Sequence, residues 1–284
     1  MYKRQADIVR PTIGVITNIG EAHIEFFGTR DGILKEKSDI FKYIGESGRA
    51  IVNGDDDKLC TLRGKLKNVL TYGLNADNDI RGENVKDMGL EGMRFDIVYG
   101  GGRITATIPS PGIHMVMNSL CAAAVGLTLG IEPELIKQGI ESYAPVEGRM
   151  QIIKTQRLTL LDDSFNANPT SMAAAINIAC RASGRTVLIL GDMLELGEKG
   201  AEYHRNMGKK AVECGADIMI GKGPLMKNAC EETERAGIET MHFDTSEDIM
   251  RALDNCLRDG DTVLVKASHG TNLKDVAEYI KANF

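Results

Sequence analysis

Two rhythms of apolar and polar positions run along this chain. In the first half they are irregular. Residues 13–19 form a short apolar, β-branched run that reads as a buried strand, and 31–44 carry Ile33, Leu34, Ile40, Phe41 and Ile44 at helical spacing. Further strands are predicted over 50–53 and 69–72, with a helix over 56–65 between them. Residues 93–98 and 103–108 flank Gly100-Gly101-Gly102 and predict an antiparallel hairpin. Helices follow over 114–129 and 133–143. From Met150 the rhythm becomes regular. Strands over 150–154 and 158–161 lead to a helix over 171–182. Strands at 186–190, 218–220, 241–243 and 262–265 then alternate with helices, and a last helix begins at Leu273. Such alternation predicts a parallel sheet covered by helices on both faces. The change of rhythm divides the 284 residues into domains 1–146 and 147–284.

Composition narrows the partners. The formal net charge of -6 comes without a block of five like charges, which speaks against nucleic acid but not against nucleotides. Six scattered cysteines form no C-x-x-C pair and imply thiols in a reducing cytosol. No run of eighteen apolar residues predicts a membrane span.

Residues able to do chemistry gather where strands end. Asp162-Asp163-Ser164-Phe165-Asn166-Ala167-Asn168-Pro169 lies between a predicted strand and a helix. Ligands of open α/β sheets sit there, outside strand carboxyl ends and beside helix N-termini. A carboxylate such as Asp163 accepts from ribose hydroxyls, while Asn166 and Asn168 both donate and accept. The same residue types build turns and caps, so composition leaves a plain turn equally open. His23, at the end of Asn18-Ile19-Gly20-Glu21-Ala22-His23, can offer a neutral imidazole to a metal. By spacing alone, Lys37 reads as a solvated helix lysine beside Lys35. Asn53 precedes Asp55-Asp56-Asp57, carboxylates suited to capping a helix. His114 and Asn118 share a helix face. Arg149, at the domain junction, suits either a phosphate or a surface ion pair. Gly100-Gly101-Gly102 opens no helix and is no dinucleotide fingerprint, and the sequence holds no G-x-x-x-x-G-K-[ST].

Taken in order, these segments resemble the Mur ligases over nearly the whole chain. The run from Pro11 to His23 is similar to the strand leading to the family's magnesium-binding histidine. Lys37, fourteen residues on, falls where the family carries a carbamylated lysine. Asn53 and Asn118 fall at positions near the adenine, and Arg149 and Asp163 at positions contacting ATP phosphate and ribose. The segment Asp163 to Pro169 with Ser171-Met172, and Gly191-Asp192-Met193-Leu194-Glu195-Leu196-Gly197, resemble the branch that adds D-alanyl-D-alanine. Lys266-Ala267-Ser268-His269-Gly270-Thr271 is similar to a Lys-Gly-Ser-Arg-Gly-Met pattern with three substitutions. Met115 stands where the family often has asparagine.

This resemblance implies an α/β fold, with an N-terminally incomplete central ATP-binding domain followed by a Rossmann-like domain whose sheet is mainly parallel. It implies an ATP-dependent ligase in peptidoglycan precursor synthesis, using ATP and Mg2+. That ligase joins D-alanyl-D-alanine to UDP-MurNAc-tripeptide through an acyl phosphate. His23 and carbamylated Lys37 would hold metal and, with Arg149, serve catalysis. Asn53, Asn118, Arg149, Asp163 and Asn166 would bind the nucleotide, and Asn168, Lys266, Ser268 and His269 the substrate. The expected protein is a cytoplasmic monomer. In the family a sugar-binding domain, a P-loop and a metal-binding glutamate precede the segment at Ile8. The sequence is therefore expected to start partway into the central domain, with Met1 to Gln5 foreign to it, and to bind ATP poorly and not ligate by itself. Two alternatives are a folylpolyglutamate-synthase-like ligase and a non-catalytic nucleotide- or partner-binding module.

Overall fold

The computed structural model describes residues 2–21 and 24–284. They form two compact units: residues 2–20 with 26–144, and residues 145–284 with the short segment around Ile24.

In the first unit the order is α1 (Tyr2–Val9), β1 (Ile13–Ile16), α2 (Ile24–Phe27, shared with the second unit), α3 (Arg30–Ser38), β2 (Arg49–Asn53), β3 (Val69–Gly73), β4 (Ile80–Asp87), β5 (Met93–Tyr99), β6 (Gly102–Ile108), α4 (Ile113–Thr128) and α5 (Pro133–Glu141). Its six strands lie in chain order, parallel from β1 to β4 and antiparallel from β4 to β6. The parallel strand β2 is apolar and buried along most of its length. By contrast β5 alternates, with Met93, Phe95 and Ile97 inward. Ile51, Tyr72, Phe95, Ile97 and the α4 face at Val116 and Leu120 make the core.

Several sequence expectations are corrected here. The single helix over 31–44 divides into α3 and a 3-10 turn at Asp39–Tyr43. The Asp39 N–H is shared between the carbonyls of Glu36 and Lys37, which tightens the backbone at that point. The helix over 56–65 is reduced to a 3-10 turn, Leu59–Leu62, because Asp56 Oδ1 takes the N–H groups of Lys58 and Leu59. β4 was not foreseen. Nor was α1, which buries Ala6.

The second unit runs β7 (Gln151–Lys154), β8 (Thr159–Asp163), α6 (Pro169–Arg181), β9 (Thr186–Gly191), α7 (Gly200–Cys214), β10 (Ile218–Lys222), α8 (Lys227–Arg235), β11 (Glu239–Phe243), α9 (Ser246–Cys256), β12 (Thr262–Lys266) and α10 (Lys274–Asn283). The sheet order is β11-β10-β9-β12-β8-β7, parallel except for the edge strand β7. Every residue of β9 and β12 is buried, as central strands covered on both faces require. β12 lies between β8 and β9 although it comes last in the chain. That insertion brings three loops, far apart in sequence, to adjacent strand ends. Among the described residues, no helix is long and apolar enough to cross a membrane.

Candidate functional site

At the end of β12, Lys266 sits in register with Asp163 of β8 on one side and Leu190 of β9 on the other. Its side chain is 2% exposed. Nζ donates to Asp163 Oδ2 at 2.5 Å and to the Asn166 carbonyl at 2.9 Å. Burial pushes the Lys266 ammonium below its ordinary pKa, Asp163 draws it back, and the nearby Arg149 guanidinium adds to the downward push. The other Asp163 oxygen, Oδ1, accepts the Met150 N–H at 3.0 Å. The carboxylate is thus held from two sides at a strand's carboxyl end.

Ser268 joins three loops. Its N–H donates to the Asp192 carbonyl at 3.1 Å, and its hydroxyl accepts the Leu194 N–H at 3.0 Å and donates to the Ala167 carbonyl at 3.3 Å. Asn168 starts α6 two residues earlier than expected, through a capping box. Asn168 Oδ1 accepts the Ser171 N–H at 2.9 Å, and the Asn168 N–H donates to Ser171 Oγ at 3.1 Å. Lys266 and Ser268, expected at the substrate, are therefore buried and turned into the frame, and the Asn168 carbonyl oxygen is occupied by the cap.

What this frame presents to solvent is Arg149, Phe165, Asn166 and His269. The Arg149 guanidinium carbon lies 4.0 Å from the Phe165 ring centre, and the His269 ring lies 5.6 Å from that ring at 41°. The notable Gly191-to-Gly197 motif also serves the frame. Asp192 accepts the N–H groups of Leu225 (3.2 Å) and Met226 (2.7 Å). Gly223, at φ 104°, is needed because a Cβ there would stand 2.6 Å from the Asp192 carboxyl carbon. His204, fully buried on α7, accepts the Met193 N–H on Nε2 at 2.9 Å and donates from Nδ1 to the Gly200 carbonyl at 2.6 Å. Those partners assign the neutral imidazole with its proton on Nδ1. Burial pushes its pKa down, while Gly200 and Asp192 draw it up.

In the first unit the expected residues are held separately. Lys37 Nζ donates to the Asn18 carbonyl at 3.1 Å. Burial lowers its pKa, and Asp56 opposes the shift. With Gln5, Ala6, Val15, Thr17 and Ile40 it lines a cavity of about 490 Å³. Asp56, which spacing did not single out, accepts the Ile19 N–H at 2.8 Å and so ties the loop after β1 to the loop after β2. Asn53 Oδ1 accepts the Asp55 N–H at 3.0 Å. Asp55 then takes the N–H groups of Leu74 (2.5 Å) and Asn75 (3.2 Å), and Asp57 pairs with Arg30. The three carboxylates accordingly brace loops. On α4, Asn118 Nδ2 lies 3.7 Å from the sulfur of Met115, so Met115 occupies the donor that faces it. His23 lies outside the described residues. Among the described residues, no group of three or more His, Cys, Asp or Glu is placed to hold a metal.

Phe165 was missed as a site residue. The available signal was an aromatic side chain inside an otherwise polar turn.

Comparison with known proteins matches residues 1–126 to the Mur ligase middle domain and residues 148–269 to the Mur ligase glutamate ligase domain. The first match includes residues 1–5, and Gln5 lines the Lys37 cavity. A UDP-N-acetylmuramoyl-tripeptide–D-alanyl-D-alanine ligase from Bacillus subtilis is 33% identical over 283 residues, covering 95% of this chain and 59% of that protein. The ligase of the same name from Escherichia coli is 30% identical, with 97% and 61% covered. The chain thus spans about three-fifths of the length of these relatives. Among solved structures, MurF from Acinetobacter baumannii superposes with a TM-score of 0.90 at 27% identity, covering 99% of this chain and 62% of that one.

Proposed function

We propose, from the premise that the chain belongs to the Mur ligase family, that it serves ATP-dependent addition of D-alanyl-D-alanine to UDP-MurNAc-tripeptide. The observation carrying this reading is the Asp163–Lys266 pair with Arg149 beside it, at the carboxyl ends of neighbouring parallel strands. The relatives' shared activity supplies the substrates.

In the reaction, a carboxylate oxygen of the tripeptide attacks the γ-phosphorus and ADP leaves. The dipeptide amine then attacks the acyl carbon, phosphate departs, and the amine loses a proton. Two anions must meet in the first step, so positive charge must be placed before the reaction begins. Arg149 meets the phosphate chain as an exposed, permanently charged fork. Asp163, paired with Lys266, accepts from the ribose hydroxyls, with the exposed Asn166 beside it; Asn53 and Asn118 meet the adenine. His269, exposed in its loop, meets substrate. Lys37 carries a carbamate, formed when its neutral amine takes up carbon dioxide and releases a proton. The burial that lowers its pKa favours the neutral amine needed for this step. With His23, the carbamate would hold Mg2+. The metal would supply charge neutralisation between carboxylate and phosphate.

The test is made in cells that carry this gene. Depleting the protein should make UDP-MurNAc-tripeptide accumulate. A wild-type copy should clear it, and a Lys37→Ala copy should leave it uncleared. Accumulation of a different precursor, or none, would sink the assignment. Full clearance by Lys37→Ala would remove the carbamate role alone.

A further inference from the structure

Arg149 sits at the crest of a short arch. Gly148 (φ 69°) and Met150 (φ 48°) are buried on either side, and both are fastened to one segment. The Gly148 carbonyl accepts the Phe165 N–H at 3.0 Å, and the Met150 N–H donates to Asp163 Oδ1 at 3.0 Å. A Cβ at Gly148 would come within 3.2 Å of the Phe165 nitrogen, so glycine is required both for φ and for contact. The backbone of Arg149 is therefore fixed. Its guanidinium, at the end of a flexible stem, is not fixed by the backbone, and among the described residues it pairs with no carboxylate. What meets it is the Phe165 ring, 4.0 Å away and within cation–π distance. Phe165 is 47% exposed, so packing into the core does not account for a large aromatic at this position. His269 lies against the same ring at 5.6 Å.

We propose that Phe165 is a positioning residue whose ring holds the Arg149 guanidinium ready for the phosphate chain of a nucleotide, with His269 bracing the ring. This rests on the reading that Arg149 meets nucleotide phosphate. A residue that touched the base instead would leave Arg149 unaffected. The expected size is that of an exposed cation–π contact, about 3- to 5-fold in affinity.

Two measurements decide it. In the nuclear magnetic resonance spectrum, the Arg149 Nε–H signal, assigned with Arg149→Gln, should be displaced by the ring current. Phe165→Leu should abolish the displacement and Phe165→Tyr should keep it. A signal unchanged in Phe165→Leu overturns the stack. Calorimetric titration with ATP and with adenosine then tests the purpose. Phe165→Leu should weaken ATP about 3- to 5-fold and leave adenosine unchanged, with Phe165→Tyr restoring ATP affinity. Equal weakening of adenosine would make the ring a platform for the base and overturn the proposal. If Arg149→Gln weakens ATP and Phe165→Leu does not, the proposal fails alone. If Arg149→Gln leaves ATP binding unchanged, the phosphate reading of Arg149 fails and takes the proposal with it.

Discussion

The two units hold their candidate residues in opposite ways. In the second, Asp163, Lys266, Ser268 and Asn168 are bonded to one another or to a shared set of loops, so each side chain depends on the next. In the first, the side chains of Lys37, Asn53 and Asn118 each make one separate bond, to Asn18, Asp55 and Met115 respectively. A linked set should answer substitution as a body, whereas separately anchored residues should answer one at a time. The contrast teaches that burial, rather than residue type, separates frame from contact. Lys266 and Lys37 are both lysines with lowered pKa, yet one is enclosed with a carboxylate and the other lines a cavity.

Breaking the buried pair should have the largest effect. Lys266→Met leaves Asp163 without its counter-ion and should cost the second unit about 3 kcal/mol in urea unfolding, the low end for such pairs because Asp163 keeps 13% exposure. Adding Asp163→Asn should recover part of that loss, since the uncompensated charge goes with it. Two losses that simply add would mean the residues are not coupled.

Next comes Ser268→Ala, which removes a hydroxyl bonded to two loops and should cost about 1–2 kcal/mol. Its signature is faster amide exchange at Leu194. Unchanged exchange there would reduce Ser268 to an ordinary buried polar residue.

A smaller effect is expected from pH. His204 is held below its ordinary pKa of 6.5 by burial, so the unfolded chain binds more protons than the folded one between the two values. Its contribution is fully present above 6.5 and is lost as pH falls through the lower, folded value. The stability advantage of wild type over His204→Gln should therefore shrink on acidification from 6.5. An advantage that grows instead would reverse the assignment of His204 as a buried neutral imidazole.

The smallest stability change belongs to the first unit. Lys37→Met should alter its unfolding by no more than about 0.5 kcal/mol, because a single exposed bond to a carbonyl is lost and the stem is replaced. A loss comparable with that of Lys266→Met would erase the difference between the two units.

Much of the second unit was legible in the sequence because each of its strands is short and all but β7 lead directly into a helix, so local pattern and tertiary role agree. The same was true of the hairpin around Gly100. Legibility failed where side chains compete for the backbone. Asp55, Asp56 and Asp57 suit the cap of a helix, but their carboxylates draw N–H groups from three separate stretches and leave only a 3-10 turn. The site was legible as a set of motifs but not as a division of labour. Nothing in Lys266-Ala267-Ser268-His269 tells which side chains point inward, since that is settled by β12 lying between β8 and β9, a pairing that no local pattern encodes. Phe165 escaped notice for the same reason, because its partners Arg149 and His269 are distant in sequence.

That placement of β12 also governs when the site comes into being. During synthesis, β8 emerges about a hundred residues ahead of the strand that will lie beside it, a separation that makes the pairing slow. Until residues 262–266 arrive, β8 and β9 have no strand between them and Asp163 has no ammonium to meet. A nascent chain thus carries Asp163 and its asparagines long before it can arrange them. Arrest of translation between α9 and β12 should yield a product with most of its helices in place but with the Asp163–Lys266 pair unmade.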